Sequence, residues 1–280
     1  MVLGRRRKAN LGLLLLALLL TAAATTVTAR TSAGLERQGG TGADHWPGPL
    51  VVMTYNIHAG RDVNGYPNLD GIAAVLAQSG AHIVGLQEVD NRVLRSGLVD
   101  QARYLAQQAG WNHTFGGNLA LPPGFYGNAL LSAFPITGYQ NQRLSSPRET
   151  RGYLRGVVEA PGGHQLAVYV THLGLDHEER LQHLDRLLQD VRQETGPVLL
   201  LGDFNSLPGS REVAMVANVL QDAVATTLVS SPTFPAGAAA HRIDYVFVSS
   251  HFEVLSAGTV ASLASDHYPV RVELRLKGRP

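Results

Sequence analysis

The stretch VLLLGDFN, residues 198–205, decides how this chain is read. Val198 to Leu201 form a fully apolar strand, and Gly202, Asp203, Phe204 and Asn205 follow at once. The same pattern recurs along the sequence. LVVMTYN (50–56) ends on Asn56, HIVGL (82–86) runs into Gln87-Glu88, and LAVYV (166–170) runs into Thr171-His172. Asp244 sits at the start of IDYVFV (243–248), and Asp266-His267 opens the last strand, Tyr268 to Leu274. A single Asp or Asn after a strand is an ordinary turn or cap residue. Carboxylates, amides and histidines recurring at the tips of so many apolar strands need another cause. Strand ends converge on a rim of a sheet core, which is where sites are built.

Between these strands the hydrophobic period changes to that of helices. Asn68 to Ser79 places Ile72, Val75 and Leu76 on one face and stops at Gly80. Val99 to Ala109 stops at Gly110. Asp176 to Glu194 carries an apolar stripe of Leu181, Leu184, Leu187, Leu188 and Val191, which reads as core. Ala129–Leu131 and Gly156–Ala160 complete the predicted strands. Strands outnumber helices, and several are joined with no helix between them. That predicts a mixed α+β fold, not a regular alternating barrel, in one domain over residues 50–276.

Composition sets limits around this reading. Of 280 residues, 45% are apolar and 16% charged, so the chain is a packed globular protein and not a disordered one. It has no cysteine, which excludes a disulfide framework, a thiolate nucleophile and a Cys-based zinc site. Arg5-Arg6-Arg7-Lys8, the apolar run Leu11 to Ala24 and the small residues around Val27-Thr28-Ala29 read as an export signal over residues 1–29. An uncleaved N-terminal anchor is the alternative. Residues 30–49, rich in Gly, Thr and Pro, read as a flexible linker. The whole chain has 23 Lys+Arg and 22 Asp+Glu; residues 1–29 hold four cations and no acid, leaving 19 against 22, a net charge of −3. Such a chain lacks the strongly basic field of a sequence-blind nucleic-acid binder.

The polar groups themselves narrow the chemistry. Clustered carboxylates repel one another unless a cation lies between them. Oxygen ligands with an amide favour Mg²⁺, Mn²⁺ or Ca²⁺ over zinc. No H-E-x-x-H helix, no phosphate-cradling G-x-x-x-x-G-K-[ST] loop and no G-x-S-x-G elbow is present. What remains is a metal-assisted site with histidines available for proton transfer or phosphate contact.

Taken together, TYN (54–56), LQEVD (86–90), GNALLS (127–132), VTHL (170–173), LGDFNSLP (201–208), RIDYVFVS (242–249) and SDHYPV (265–270) resemble the endonuclease/exonuclease/phosphatase, or DNase I-like, superfamily, in its compact secreted bacterial form. The resemblance implies a four-layer α/β/β/α sandwich, two packed mixed sheets with helices on both outer faces. It implies hydrolysis of a phosphoester by an activated water with Mg²⁺, or Mn²⁺, as cofactor. By the same resemblance Glu88 looks like the main metal carboxylate, with Asn56 and Asp266 beside it. Asp244 and His267 look like an orienting carboxylate–imidazole pair. Asp203 resembles the residue that orients or deprotonates the water, or protonates the leaving group. Asn205 and His172 resemble phosphate donors. Asn128, His58 and Arg155, with Arg151, are further candidates for substrate contact, His58 because it faces the same way as Asn56 if the strand continues. Asp90 and Arg92 read as a local ion pair.

A non-catalytic binding module on the same fold is the alternative, but none of Glu88, Asp203, Asn205, Asp244 and His267 is lost. The expected partner is a phosphoester substrate, either nucleic acid or a lipid headgroup or inositol phosphate. A nuclease wants cationic loops, and Lys277 is the one lysine after the signal. A lipid enzyme wants an exposed apolar loop, for which LALPPGFY (119–126) and SPTFPAGAAA (231–240) are candidates. No obligate protein partner is expected, and the protein is read as a monomer.

Overall fold

A computed structural model describes residues 48–227 and 231–277. The signal-or-anchor segment 1–29 and almost all of the linker lie outside the described residues. In chain order the first half contains β1 (Leu50–Asn56), α1 (Leu69–Ser79), β2 (Ile83–Asn91), α2 (Gln101–Ala109), β3 (Asn112–Leu121), β4 (Gly124–Ser132) and β5 (Ile136–Leu144). The second half contains β6 (Arg151–Ala160), β7 (His164–His172), α3 (His177–Val191), β8 (Val198–Asp203), α4 (Arg211–Ala217), β9 (Gln221–Asp222), β10 (Asp244–Val248), β11 (Phe252–Thr259) and β12 (Val270–Leu276).

The strands form two six-stranded sheets, ordered β11-β12-β1-β2-β4-β3 and β5-β6-β7-β8-β10-β9. Each sheet is built around one parallel pair, β1 with β2 and β7 with β8, and the remaining pairings are antiparallel. A parallel pair needs a crossover, supplied here by α1 and by α3. The two strands of such a pair end on the same edge of their sheet.

Burial resolves four layers. The inner faces of the two sheets pack on each other through Val52, Ile83 and Leu130 on one side and Val168, Val170, Leu199, Leu201 and Val246 on the other. The outer face of the first sheet (Met53, Val84, Leu131) meets Ile72 and Leu76 of α1 and Leu105 of α2. The outer face of the second (Tyr169, Leu200, Phe247) meets Leu184, Leu187, Leu188 and Val191 of α3 and Val213 and Val216 of α4. This is the α/β/β/α sandwich that the family resemblance implies. The three predicted helices are present, with Gly80 and Gly110 in the left-handed conformation as C-caps and Asp176 accepting from the Glu179 N–H as N-cap. Helix α4 and strands β3, β5, β9 and β11 are additions to the predicted elements.

Where the sheets approach most closely, side-chain volume is the limit. A Cβ on Gly85 of β2 meets Leu201 Cβ at 2.9 Å and Val170 at 3.1 Å on the facing sheet. Gly85→Ala is therefore expected to overpack the interface and cost about 1–3 kcal/mol. Urea unfolding checks this, and a midpoint equal to that of the parent contradicts it.

Helices α3 and α4 are stapled by Glu212, whose Oε1 accepts from Arg180 Nε at 2.7 Å and lies 2.9 Å from His177 Nδ1. Burial raises the Glu212 pKa, but its own backbone N–H, His177 and Arg180 outweigh that and pull it from 4.5 down to about 2. A depressed carboxyl contributes stability that is present above the unfolded value of 4.5 and is lost as pH falls toward 2. Glu212→Gln is expected to flatten the pH dependence of the urea midpoint across that window. A variant with the parent's pH dependence there contradicts the assignment.

Candidate active site

Period-two alternation places the site. The inner-face rows of the sheets are apolar through most of their length: Leu50 and Val52 on β1, Val168 and Val170 on β7, Leu199 and Leu201 on β8, Val246 and Val248 on β10. Continued in steps of two toward one rim, they reach Asn56, His172, Asp203 and Asp244. Register carries the alignment across the second sheet, where Gly152 pairs with His172, His172 with Asp203, and Asp203 with Asp244.

Glu88 breaks the parity and still joins them. The β2–β4 pairing slips between Leu86 and Val89, and Glu88 sits inside that irregularity with φ of 58°. A bulge of this kind re-aims a side chain. His58 (φ 48°) and Asn205 (φ 47°) are also left-handed non-glycine residues. Backbone strain thus gathers on this rim, as it does at functional sites in general.

Asp203, 1% exposed, is the hub. Its Oδ1 accepts from the Asn205 backbone N–H at 2.9 Å, and its Oδ2 accepts from Asn56 Nδ2 at 3.0 Å. The same Asn56 amide donates to Glu88 Oε1 at 3.1 Å and so ties the two sheets together. Asp203 Oδ2 lies 3.5 Å from His172 Nε2 and 3.8 Å from His267 Nε2. His267 Nδ1 is 2.9 Å from Asp244 Oδ2, the expected orienting pair, and its ring packs on Phe234. Thr233 Oγ1 accepts from the Asp244 N–H at 3.3 Å. The Ser265 hydroxyl donates to the Asn56 carbonyl at 2.8 Å and lies 3.3 Å from Asp266 Oδ1, which anchors the SDH segment to the end of β1.

The electrostatics separate the two histidines. Burial pushes His172 well below 6.5, and Arg151 and His267 push the same way. Arg151 Nη1 lies 3.2 Å from His172 Nδ1 and Asn205 Nδ2 lies 3.2 Å from its Nε2; both neighbours are donors, so each side of the ring offers a hydrogen bond to a neutral imidazole nitrogen. Burial also works against a charged His267, but the Asp244 carboxylate with its hydrogen bond, Asp203 and Asp266 more than offset it and hold His267 up at about 10. Asp203 is raised, first by burial and then by the neighbouring Asp244 charge.

The expected residues thus fall into two groups. Asn56, Glu88, His172, Asp203, Asn205, Asp244 and His267 join one network of contacts. Asp266 and His58 sit beside it, with His58 Nδ1 3.7 Å from Asp266 Oδ1. His58 arrives there by a different route from the one expected, since β1 ends at Asn56 and a short 3-10 turn over His58–Gly60 follows. Arg155 is a correction. It lies four residues along β6 from the rim, roughly 13 Å at strand rise, and Glu194 holds its Nε at 2.6 Å. Asn128 is a structural amide: it is 1% exposed, and its Nδ2 donates to the carbonyls of Gly152 at 3.0 Å and Val170 at 3.4 Å. Asp90 pairs with Arg95 and not with Arg92. Arg151, at the first position of β6, reaches the network through His172.

The donor set suits a hard divalent cation. Asp203, Asp244 and His267 bring polar atoms within 4.8 Å of one another, but a charged His267 only donates, so the oxygens of this group and not its imidazole could meet a cation. Asp244 Oδ1 is buried with no hydrogen-bond partner among the described residues. Glu88 and Asp266 add two partly exposed carboxylates. So many carboxylates around one amide call for a positive charge among them.

Residues 53–267 match the sequence profile of the Endonuclease/Exonuclease/phosphatase family. The chain is 30% identical over 250 residues to the protein YbhP of Escherichia coli (strain K12), an alignment that spans 80% of this chain and 96% of YbhP. Among solved structures it resembles the endonuclease/exonuclease/phosphatase from Beutenbergia cavernae DSM 12333, with a TM-score of 0.71, 27% identity, and coverage of 83% of this chain and 73% of that one. It also shares its fold with the Bacteroides thetaiotaomicron VPI-5482 mannosyl-6-phosphatase Bt3783, with a TM-score of 0.67, 20% identity, and coverage of 80% and 99%. The sandwich, the rim of acids, amides and histidines, and the profile match over residues 53–267 place the chain in the endonuclease/exonuclease/phosphatase family, whose members are phosphoester hydrolases.

Proposed function

We propose that the protein is an exported hydrolase that cleaves a phosphoester with the help of Mg²⁺ or Mn²⁺ at the rim formed by Glu88, Asp203, Asp244 and His267. The observation that carries this reading is Asp203. It is buried, held through both oxygens and flanked by the imidazoles of His172 at 3.5 Å and His267 at 3.8 Å.

A divalent cation held by Glu88 and Asp266 beside Asn56 supplies charge to polarise the phosphate and stabilise the pentavalent transition state. The protein's own residues supply the rest. Asp203 has a raised pKa and lies at the centre, so it takes or returns a proton close to neutral pH. That proton belongs either to the attacking water or to the leaving oxygen. Neutral His172 and charged His267 stand on either side of Asp203, and the Nε2–H of His267 is a charged donor for a phosphate oxygen. Asp244 keeps the His267 ring fixed and charged. The Asn205 Nδ2 donates to the Leu173 carbonyl at 2.9 Å, which holds the amide 3.2 Å from His172 Nε2 at the same rim, facing the phosphate.

The export part of the reading rests on the basic, apolar and small-residue order of residues 1–29. Among the described residues no helix is long and apolar enough to cross a membrane.

Asp203→Asn keeps the shape and removes the proton acceptor. It is expected to lower turnover of bis(4-nitrophenyl) phosphate by about 10²–10⁴-fold with an unchanged circular dichroism spectrum. Turnover near that of the parent contradicts the role. The parent enzyme is expected to lose activity in EDTA and recover it with Mg²⁺ or Mn²⁺. A rate indifferent to chelation contradicts the cation requirement.

A further inference from the structure

Beside Glu88 lies a cavity of about 270 Å³ that the chemistry above leaves unused. Arg61, Arg95, Leu119, Leu121, Tyr126 and Glu149 form its walls. The leucines come from the end of β3, so the segment 119–126 is a β-hairpin wall and not a free apolar loop.

Two of these side chains are prepared for a ligand. Arg95 is gripped from behind by Asp90, whose two carboxylate oxygens accept from Nε and Nη2 at 2.9 Å each. Asp90 is fully buried, and the guanidinium lies 5.1 Å over the Tyr126 ring. This fixes the plane of Arg95 and leaves Nη1 without a protein acceptor among the described residues. Tyr126 is 8% exposed, and its hydroxyl has no hydrogen-bond partner among the described residues. A buried tyrosine ordinarily finds one. Tyr126 lines the cavity, so a ligand held there can supply one.

We propose that this cavity selects the alcohol part of the substrate and takes a compact, hydroxyl-rich group such as a polyol or a sugar ring. The inference rests on the hydrolytic reading above. Arg95 Nη1 and the Tyr126 hydroxyl donate to oxygens on one edge of the group, and Glu149 accepts. Leu119 and Leu121 cover its carbon face. The mixture of donors, an acceptor and an apolar wall matches a ring that carries hydroxyls on its edge and carbon on its face. The volume falls just under the roughly 300–1,000 Å³ of pockets for drug-sized ligands, so it fits one ring and not a polymer. A duplex backbone needs a strongly basic open surface, and residues 30–280 carry 19 Lys+Arg against 22 Asp+Glu.

The test is steady-state kinetics of the full chain in Mg²⁺ on matched esters. Glucose 6-phosphate is compared with 4-nitrophenyl phosphate, and glycerophosphoinositol with bis(4-nitrophenyl) phosphate. The ratio of kcat/KM for the hydroxyl-rich ester to that for the aryl ester is measured in the parent, in Arg95→Gln and in Tyr126→Phe. Both variants are expected to lower the ratio in at least one pair by about ten-fold, the worth of one hydrogen bond to a buried or charged group. The change should appear in KM of the hydroxyl-rich ester. Tyr126→Phe keeps the ring under Arg95, so it decides the matter if loss of the Asp90 partner unfolds Arg95→Gln. A ratio unchanged in Tyr126→Phe while the parent hydrolyses these esters overturns the pocket's role and leaves the hydrolytic reading standing. A parent inactive on all four esters overturns both.

Discussion

One side-chain amide holds the active rim together. Asn56 Nδ2 donates to Glu88 on its own sheet and to Asp203 on the other, at 3.1 and 3.0 Å. Both acceptors are carboxylates, so the amide brings together two groups that repel each other. It can do so because β1 and β8 end at the same height, and they end there because each belongs to a parallel pair. A crossover helix returns the chain to the start of the next strand, and the carboxyl ends fall on one edge. Sheet-on-sheet packing, close enough at Gly85 to exclude a methyl group, then sets the two edges face to face.

The rim works against the fold's preferences in several places. Glu88, His58 and Asn205 are held in left-handed backbone conformations that cost non-glycine residues about 1–3 kcal/mol each. Asp203 and Asp244 sit as near neighbours in the interior. A cluster of this kind is stable only where surrounding structure determines it, and here the surroundings are two fully apolar inner faces. The two histidines show how finely local charge divides like residues. Burial, with Arg151 beside it, keeps His172 neutral, and Asp244 keeps His267 charged.

Most of this was legible in the sequence because apolar runs and the polar residues that end them are local signals. Asn56, His172, Asp203 and Asp244 each continue an apolar row by steps of two. Three helices were visible through their stripes and caps, and the fold class followed. What was hidden depends on distance in space. Helix α4 has seven residues, too few for a period to emerge. Strands β3, β5 and β11 lie toward sheet edges and carry many exposed polar residues, which weakens their pattern. Arg151 and Arg155 share a face of β6 and look alike in sequence. One stands at the strand end beside His172, and the other is spent on Glu194 four residues away. The Asp90–Arg95 pair was misread because a tight turn over Leu94–Ser96 brings Arg95, and not Arg92, back to the acid.

The central claim is that residues from both sheets, far apart in the chain, share one hard cation. Anomalous diffraction from crystals of the protein grown with Mn²⁺ tests it directly. The account predicts a single cluster of anomalous density within ligand distance of Glu88 and Asp266, next to Asn56 and Asp203. Density elsewhere on the molecule, with Glu88 and Asp266 both left unligated at saturating Mn²⁺, contradicts it.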